Sequence, residues 1–341
     1  MRLTGHESRA PLNRSPSNRH SRVILCRMAM LFAAALASAG AMAERAYVPN
    51  EGAGTVTVID TATDREAADS PIPRQGSMGD KLRGLAVTRD GKTLFVVDSQ
   101  RNVLLVIDAA TGELRKTLPN VKSAEGIQLA PDGQTLAVCA EDSNEALLVD
   151  VSTLTERLRI PVQGSNPEHC VYSPDGRWLL TSNENSHSID VIDVASHKSV
   201  REIKTDGAPR GMGFLPDGSK VFVADETAGT VDVVATKDWR VSKSIPIGVR
   251  PAGVAVARDG RRVYASAGGS GTVSVIDSAQ ESVVATITVG QRPWNMAFTH
   301  DGRKLYVANG RSDSVSVIDT ATNAVTQTIP VGTRPWGVAI P

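Results

Sequence analysis

The strongest constraint on this chain is a sequence unit of about 42 residues that recurs along it. An Asp-Gly pair occurs six times at steps of 42, 43, 42, 42 and 42 residues, with the aspartates at Asp90, Asp132, Asp175, Asp217, Asp259 and Asp301. A run resembling V-x-V-I-D ends eighteen residues after each of them, and a seventh copy ends at Asp60. Repeats of this period are typical of folds in which each unit buries its apolar face against its neighbours.

Each unit has the pattern of four short β-strands. Residues 292–333 contain four segments in which Val, Ile and Tyr alternate with small or polar residues, namely WNMAF, KLYVAN, SVSVID and AVTQTIPV. Alternation with period two is typical of strands, and the intervening His-Asp-Gly and Thr-Ala-Thr-Asn segments are turn sequences. Residues 44–341 contain no long helical stripe. We therefore predict an all-β, seven-bladed β-propeller with four antiparallel strands per blade.

The two ends of the repeat array complement each other. The first unit enters at a second strand, residues 46–50, whereas the last residues, 337–340, have the pattern of a first strand. We expect the N- and C-terminal strands to complete one blade together, because this closure removes an exposed sheet edge.

Residues 1–43 have the pattern of a secretory signal peptide, and we expect residues 44–341 to form a single domain. Six arginines and one glutamate flank an apolar run at 28–40, which an A-x-A site follows. The run is too short to span a bilayer, so we expect no membrane insertion after cleavage. We expect the cleaved protein to be periplasmic or secreted and to be a monomer. Of the 37 basic and 37 acidic residues of the chain, 31 basic and 36 acidic residues lie in the domain. The resulting net charge of −5 disfavours a nucleic-acid partner.

The segment LYVAN at 305–309, followed by SVSVIDTATNAVTQTIPVGTRPWGVAI, resembles the YVTN β-propeller repeat family, and the resemblance covers residues 45–341. With its leader, the chain is most similar to the periplasmic group associated with PQQ-dependent alcohol catabolism. The resemblance implies a quinoprotein dehydrogenase or a transport component as partner, and it specifies the fold far better than an activity. The segment DAATGE at 108–113 resembles the opening of a quinoprotein blade motif but lacks its tryptophan, so we expect no PQQ and no other cofactor.

The face opposite the Asp-Gly turns varies between repeats, and a binding site is expected there. The residues placed just before each first strand are Arg83, Glu125, Glu168, Arg210, Ala252, Trp294 and Trp336, and the Arg-Pro pairs add Arg250, Arg292 and Arg334. Arginines grip carboxylates and indoles stack on flat groups, so we predict a site for a small anionic or aromatic ligand or for a protein partner. The alternatives are that the arginines of the Gly-x-Arg-Pro consensus brace an inter-blade carboxylate and that the tryptophans plug the mouth of the channel.

Two further features lie on this face. The second strands end in polar residues, Asn50, Asp98, Asn183, Asp225 and Asn309, which we add to the candidate surface. The interval from Asp60 to Asp90 is 30 residues instead of 24 or 25, and the excess falls in the loop at 73–81, where Gly76 and Gly79 would allow motion. Such an insertion is either part of the binding face or without function.

No catalytic constellation accompanies the repeat. Residues 44–341 contain no H-x-H, H-E-x-x-H or C-x-x-C-H motif, so we expect no metal site. Cys139 and Cys170 are interpreted as buried small residues, with an inter-blade disulfide as the alternative. A non-catalytic binding or accessory protein is therefore favoured. A lactonase- or lyase-like enzyme that uses Glu168 and His169 is the main alternative, and single-stranded nucleic-acid binding is the third.

Overall fold

The computed structural model describes residues 1–2, 5–6, 44–72 and 78–341. Most of the predicted leader and residues 73–77 of the insertion, including Gly76, lie outside the described residues. Glu44–Pro341 forms one compact unit. In the described parts of the chain, no helix is long and apolar enough to cross a membrane.

Seven antiparallel sheets follow one another along the chain, and this confirms the predicted seven-bladed propeller. The first sheet in chain order has three strands: β1 (Arg45–Asn50), β2 (Thr55–Asp60) and β3 (Arg65–Glu66). Each of the other six has four strands in sequence order: β4 (Leu82–Val87), β5 (Thr93–Asp98), β6 (Val103–Asp108), β7 (Leu114–Leu118); β8 (Ala124–Leu129), β9 (Thr135–Ala140), β10 (Glu145–Asp150), β11 (Thr155–Pro161); β12 (Pro167–Tyr172), β13 (Trp178–Asn183), β14 (Ser188–Asp193), β15 (Lys198–Lys204); β16 (Pro209–Phe214), β17 (Lys220–Asp225), β18 (Thr230–Ala235), β19 (Arg240–Pro246); β20 (Pro251–Val256), β21 (Arg262–Ala267), β22 (Thr272–Asp277), β23 (Ser282–Thr288); β24 (Pro293–Phe298), β25 (Lys304–Asn309), β26 (Ser314–Asp319), β27 (Ala324–Pro330). The described helical structure is a single 3₁₀ turn, Glu141–Ser143.

The C-terminal segment closes the ring, as predicted. Tyr47 exchanges two backbone hydrogen bonds with Ala339, of 2.8 and 2.9 Å, and the Trp336 amide donates to the Pro49 carbonyl at 2.9 Å. The segment pairs through two isolated bridges instead of one continuous strand. The innermost strands of the other blades show a related irregularity, because their register shifts near the same position, as between Pro293 and Met296.

The repeated turn motifs have a conformational role. In all six Asp-Gly turns the glycine has φ between 69° and 72°, a left-handed conformation that glycine adopts without steric cost. The aspartates that end the V-I-D runs cap the turns that follow them. The Asp108 carboxylate, for example, accepts hydrogen bonds from the Ala110 and Thr111 amides at 2.8 and 2.9 Å. These aspartates are therefore accounted for by the fold.

The innermost strands approach one another closely around the central channel. Five of the seven innermost segments carry glycine at the same position: Gly84, Gly126, Gly211, Gly253 and Gly337. A Cβ atom on Gly126 would lie 2.5 Å from the Glu168 carbonyl oxygen, so a side chain cannot fit there. The two exceptions, His169 and Asn295, place polar side chains in the same layer, and this arrangement positions the candidate site.

Candidate functional site

The predicted ring of site residues lies within the innermost strands and not just before them. The second residues of these strands are Arg83, Glu125, Glu168, Arg210, Ala252 and Trp294. The strands begin two residues earlier than that placement implies, because their first residue already pairs with the end of the second strand, as Pro209 does with Asp225 and Pro293 with Asn309. Each of these side chains is therefore held by strand pairing at the mouth of the channel.

Three arginines meet at one carboxylate, Glu226, in what we call the Glu226 cluster (Arg210, Arg250, Arg292 and Glu226). Arg250 Nε donates to Glu226 Oε1 at 2.6 Å, and Arg292 Nη2 donates to the same oxygen at 3.2 Å. Arg210 Nε donates to the other oxygen, Oε2, at 2.6 Å. The Arg250 side chain is 50% exposed, whereas those of Arg210 and Arg292 are about 90% buried.

Arg210 is shared by further acids. Its guanidinium also contacts Glu168 and lies 3.2 Å from Glu184 Oε1. The Glu168 side chain is 1% exposed and its Oε2 has no hydrogen-bond partner in the described structure. Burial raises the pKa of Glu168 to about 8, against the opposing charge of Arg210. Arg210 is shared with Glu184 and Glu226, and its charge does not offset the burial of Glu168.

A second group of charges, the Glu51 cluster (Glu51, Lys81, Arg83 and Arg334), lies elsewhere on the same rim. Glu51 is contacted by Arg334 at 3.0 Å, Arg83 at 3.1 Å and Lys81 at 3.3 Å, and Arg83 also pairs with Glu125. The Arg334 side chain is 64% exposed. The predicted arginines thus divide between two carboxylates and brace them, which is the alternative arrangement that the sequence left open.

Both tryptophans belong to a continuous stack across the mouth of the channel. The Arg292 guanidinium lies 4.2 Å from the Trp294 ring centroid, Trp294 stacks on Trp336 at 6.5 Å, and Trp336 stacks on His169 at 5.5 Å with an interplanar angle of 13°. Trp336 is 6% exposed. Because its two faces are covered by Trp294 and His169, the exposed arginines are the more accessible part of the predicted site.

His169 and Asn295 line a cavity of about 240 Å³ in the channel. His169 Nε2 lies 3.3 Å from Asn295 Nδ2, which identifies Nε2 as the acceptor, while Nδ1 is buried without a partner and 3.9 Å from Glu168 Oε1. Burial, with a smaller contribution from Arg210, lowers the pKa of His169 to about 3. The imidazole is therefore neutral at physiological pH and presents hydrogen-bonding capacity, not charge.

The remaining predicted residues have structural roles. The polar second-strand ends are fully buried and bind neighbouring loops, as Asn309 Oδ1 accepts the Gly290 amide at 3.2 Å. Cys139 and Cys170 are free and buried in the cluster between two blades. Gly79 is close to Asp98, where an added Cβ would lie 2.5 Å from Oδ2. In the described part of the chain, no three His, Cys, Asp or Glu side chains could hold a metal ion.

The sequence reasoning missed the carboxylates that organise the site. They directly follow second strands of four blades: Glu51, Glu141, Glu184 and Glu226. Burial also raises the pKa of Glu141 to about 7. The sequence did contain a signal for these carboxylates, because the residue after the second strand differs between blades: it is Glu in four blades and Gly in the last two. There a Cβ atom on Gly268 would lie 3.0 Å from Arg292 Nη1 and one on Gly310 would lie 2.6 Å from Trp294 Cδ1, so larger residues would displace both side chains.

Comparison with known proteins places the fold. A family model described as YNCE-like beta-propeller matches residues 133–301. None of the curated proteins matches the chain.

Solved structures with less than 25% identity share the architecture. Hydrazine synthase of Kuenenia stuttgartiensis is 22% identical with a TM-score of 0.68, over 80% of this chain and 90% of that one. A functionally unknown protein of Desulfotomaculum acetoxidans is 16% identical with a TM-score of 0.75, over 87% and 98%. A candidate 6-phosphogluconolactonase of Bacteroides uniformis is 17% identical with a TM-score of 0.73, over 88% and 100%. The family match and the seven blades together support a YVTN-type β-propeller.

Proposed function

We propose that this protein is a non-catalytic binding protein that captures an anionic ligand at the Glu226 cluster. The observation that carries the proposal is the sharing of one oxygen, Glu226 Oε1, by two guanidinium groups, while Arg292 Nη1 is buried with no hydrogen-bond partner in the described structure. A buried donor without a partner is costly, and an anion that approaches Arg250 and Arg292 would supply one.

Electrostatics favour the same ligand class. Burial lowers the pKa of Arg292, and the nearby charges of Arg250 and Arg210 lower it further, against the opposing effect of Glu226. A bound carboxylate would relieve this repulsion. Arg250 is half-exposed and can reach a ligand from solvent without displacing the Trp294–Trp336 stack. Guanidinium groups bind carboxylates and phosphates in a bidentate geometry, so either anion suits the site.

We expect benzene-1,3-dicarboxylate to bind, and Arg250→Gln to weaken its binding at least tenfold, because one charge-assisted hydrogen bond is lost. Isothermal titration calorimetry measures the affinity, and quenching of tryptophan fluorescence reports contact near Trp294. Arg303→Gln is the matched control, since Arg303 lies on the turn face with its side chain 84% exposed. Equal affinities of the Arg250 and Arg303 variants would contradict the site. A weakening by Arg334→Gln alone would move it to the Glu51 cluster.

One observation in the channel favours the enzyme alternative. The neutral His169 imidazole lies beside the buried Glu168 carboxyl, and both groups retain an unpartnered polar atom. The structural similarity to a candidate 6-phosphogluconolactonase makes a sugar lactone the appropriate test substrate. Lactone hydrolysis that His169→Ala abolishes would contradict the non-catalytic part of our proposal.

The leader extends the proposal to a cellular location. We propose that the domain acts in the periplasm or outside the cell, where a quinoprotein dehydrogenase or a transport component is a candidate partner. This part rests on the signal-peptide pattern of residues 1–43 and on the resemblance to the propellers of PQQ-dependent catabolism.

We expect the exported protein to begin at Glu44, because cleavage follows the A-x-A site at 41–43. Mass spectrometry of the protein from a periplasmic fraction measures the N-terminus directly. Ala43→Arg should block cleavage and leave the leader attached, whereas the conservative Ala43→Ser should not. A cytoplasmic protein that retains residues 1–43 would overturn the location.

A further inference from the structure

A cavity that no role above explains lies between two blades, on the face opposite the Glu226 cluster. Its volume is about 560 Å³, within the range of small-molecule sites. The cavity opens between the blade of β8–β11 and the blade of β12–β15, beside the Asp-Gly turns at Asp132 and Asp175. We refer to it as the inter-blade pocket.

A buried hydroxyl group lines the inter-blade pocket. Tyr172 is 5% exposed, and its hydroxyl group has no hydrogen-bond partner in the described structure. Two other buried tyrosines do have partners, since the Tyr264 hydroxyl donates to Asn323 Oδ1 at 3.1 Å and the Tyr306 hydroxyl donates to Asp64. Burial raises the pKa of Tyr172, so this hydroxyl remains a neutral donor. A buried donor of this kind calls for an acceptor from outside the fold.

Arg157 supplies a cation that the fold does not pair. Its Nη1 donates a hydrogen bond to Thr135 Oγ1 at 3.1 Å, and among the described residues it has no ion pair. The equivalent arginine one blade earlier, Arg115, pairs with Asp108. Asp150 occupies the position of Asp108 and accepts the same kind of turn bonds, from the Ser152 and Thr153 amides at 2.9 Å, but among the described residues it forms no ion pair with Arg157. Arg157 therefore keeps free donors at the pocket.

Acidic and apolar groups also line the inter-blade pocket, together with His197. Asp132 and Asp175 lie at the rim, where each uses Oδ1 to cap its own Asp-Gly turn, and Oδ2 of each has no hydrogen bond among the described residues. Leu148, Leu158 and Val194 form an apolar wall. The pocket thus combines a cation with a neutral donor, a pair of carboxylates and a hydrocarbon surface.

We propose that the inter-blade pocket binds a free amino acid with an apolar side chain. Its carboxylate would accept hydrogen bonds from Arg157 and the Tyr172 hydroxyl group, and its ammonium group would face Asp132 and Asp175. Its side chain would pack against the apolar wall. A simple carboxylic acid fits less well, because the two rim aspartates would repel it without an ammonium group between them.

Calorimetric titration with L-phenylalanine and L-leucine tests the proposal. We expect both to bind, and Arg157→Gln or Tyr172→Phe to weaken binding at least tenfold, since each removes a hydrogen bond to a charged group. Arg115→Gln is the matched control, because it removes the equivalent side chain outside the pocket, and should leave the affinity within twofold. Tyr172→Phe removes only an unpartnered hydroxyl, so an unchanged melting temperature will show that this variant is folded.

Two analogues test the ligand class. Phenethylamine lacks the carboxylate and 3-phenylpropionate lacks the ammonium group, and we expect each to bind at least tenfold more weakly than phenylalanine. Binding of 3-phenylpropionate equal to that of phenylalanine would exclude a role for the rim aspartates and overturn the amino-acid assignment. No binding of either amino acid at millimolar concentration, or equal losses for the Arg157 and Arg115 variants, would overturn the site itself. Arg250→Gln should not affect this titration, which separates the pocket from the Glu226 cluster.

Discussion

Glu226→Gln is expected to lower the free energy of unfolding by about 3–5 kcal/mol at neutral pH, because it removes the carboxylate shared by buried arginines. Arg210 and Arg292 would lose their common partner while their side chains remain about 90% buried. The contribution of Arg250 is smaller, because half of its side chain is in solvent. Chemical denaturation followed by circular dichroism measures this loss.

Glu184→Gln is the matched control for this variant. Glu184 also accepts a hydrogen bond from Arg210, at 3.2 Å, but its side chain is 32% exposed and it has no contact with Arg250 or Arg292 among the described residues. We expect a loss of about 1 kcal/mol or less. Equal losses for the two variants would show that Glu226 does not organise the cluster.

The loss of stability caused by Glu226→Gln should depend on pH in a definite direction. Burial tends to raise the pKa of Glu226, but Arg210, Arg250 and Arg292 outweigh it and hold the pKa below its ordinary value. The stability that this ionised carboxylate contributes is therefore present above the unfolded-state pKa of about 4.5 and is lost as the pH falls below it. The difference between the parent and Glu226→Gln should shrink in acid.

Glu168 should give the opposite dependence. Burial raises its pKa to about 8, so between the unfolded-state pKa of about 4.5 and pH 8 the native protein retains a proton that the unfolded chain has released. The free energy of unfolding must then fall as the pH rises through this window. Glu168→Gln imitates the protonated carboxyl group and removes this dependence. We expect its stability relative to the parent to increase by about 2–4 kcal/mol between pH 5 and pH 8.5.

Denaturant titrations at several pH values measure this increase. Asp150→Asn is a control on the opposite face, because hydrogen bonds from the Thr153 amide and the Ser152 hydroxyl lower the pKa of Asp150 to about 2. Its effect on stability should be constant between pH 5 and pH 8.5. A constant difference for Glu168→Gln over the same range would mean that Glu168 is ionised in the native protein.

The repeat made much of the fold predictable, because its determinants are local. The four segments of residues 292–333 became β24 to β27 with bounds within one or two residues, since alternation and turn sequences act within a few residues. The shared closing blade followed from counting strand patterns at the two ends. The exact start of the innermost strands was misplaced by one or two residues, because it is set by pairing with a second strand, as between Pro293 and Asn309.

The site was only partly predictable for the same reason. The sequence indicated the arginines and tryptophans that the structure places at the mouth of the channel, since variable residues on a repeated scaffold are easy to recognise. It did not indicate that Arg292 and Arg250 share Glu226, because Arg292 is 66 residues from that carboxylate in sequence. It also did not show that Trp336 is covered by Trp294 and His169.

The sequence by itself therefore determined the strands, the turns, the number of blades and the closure of the ring, all of which depend on short-range patterns and on their period. The tertiary structure alone decided which charges pair, which polar atoms are buried without partners and where the inter-blade pocket lies. These properties arise where side chains of different blades meet, and their distances depend on the packing of the whole ring.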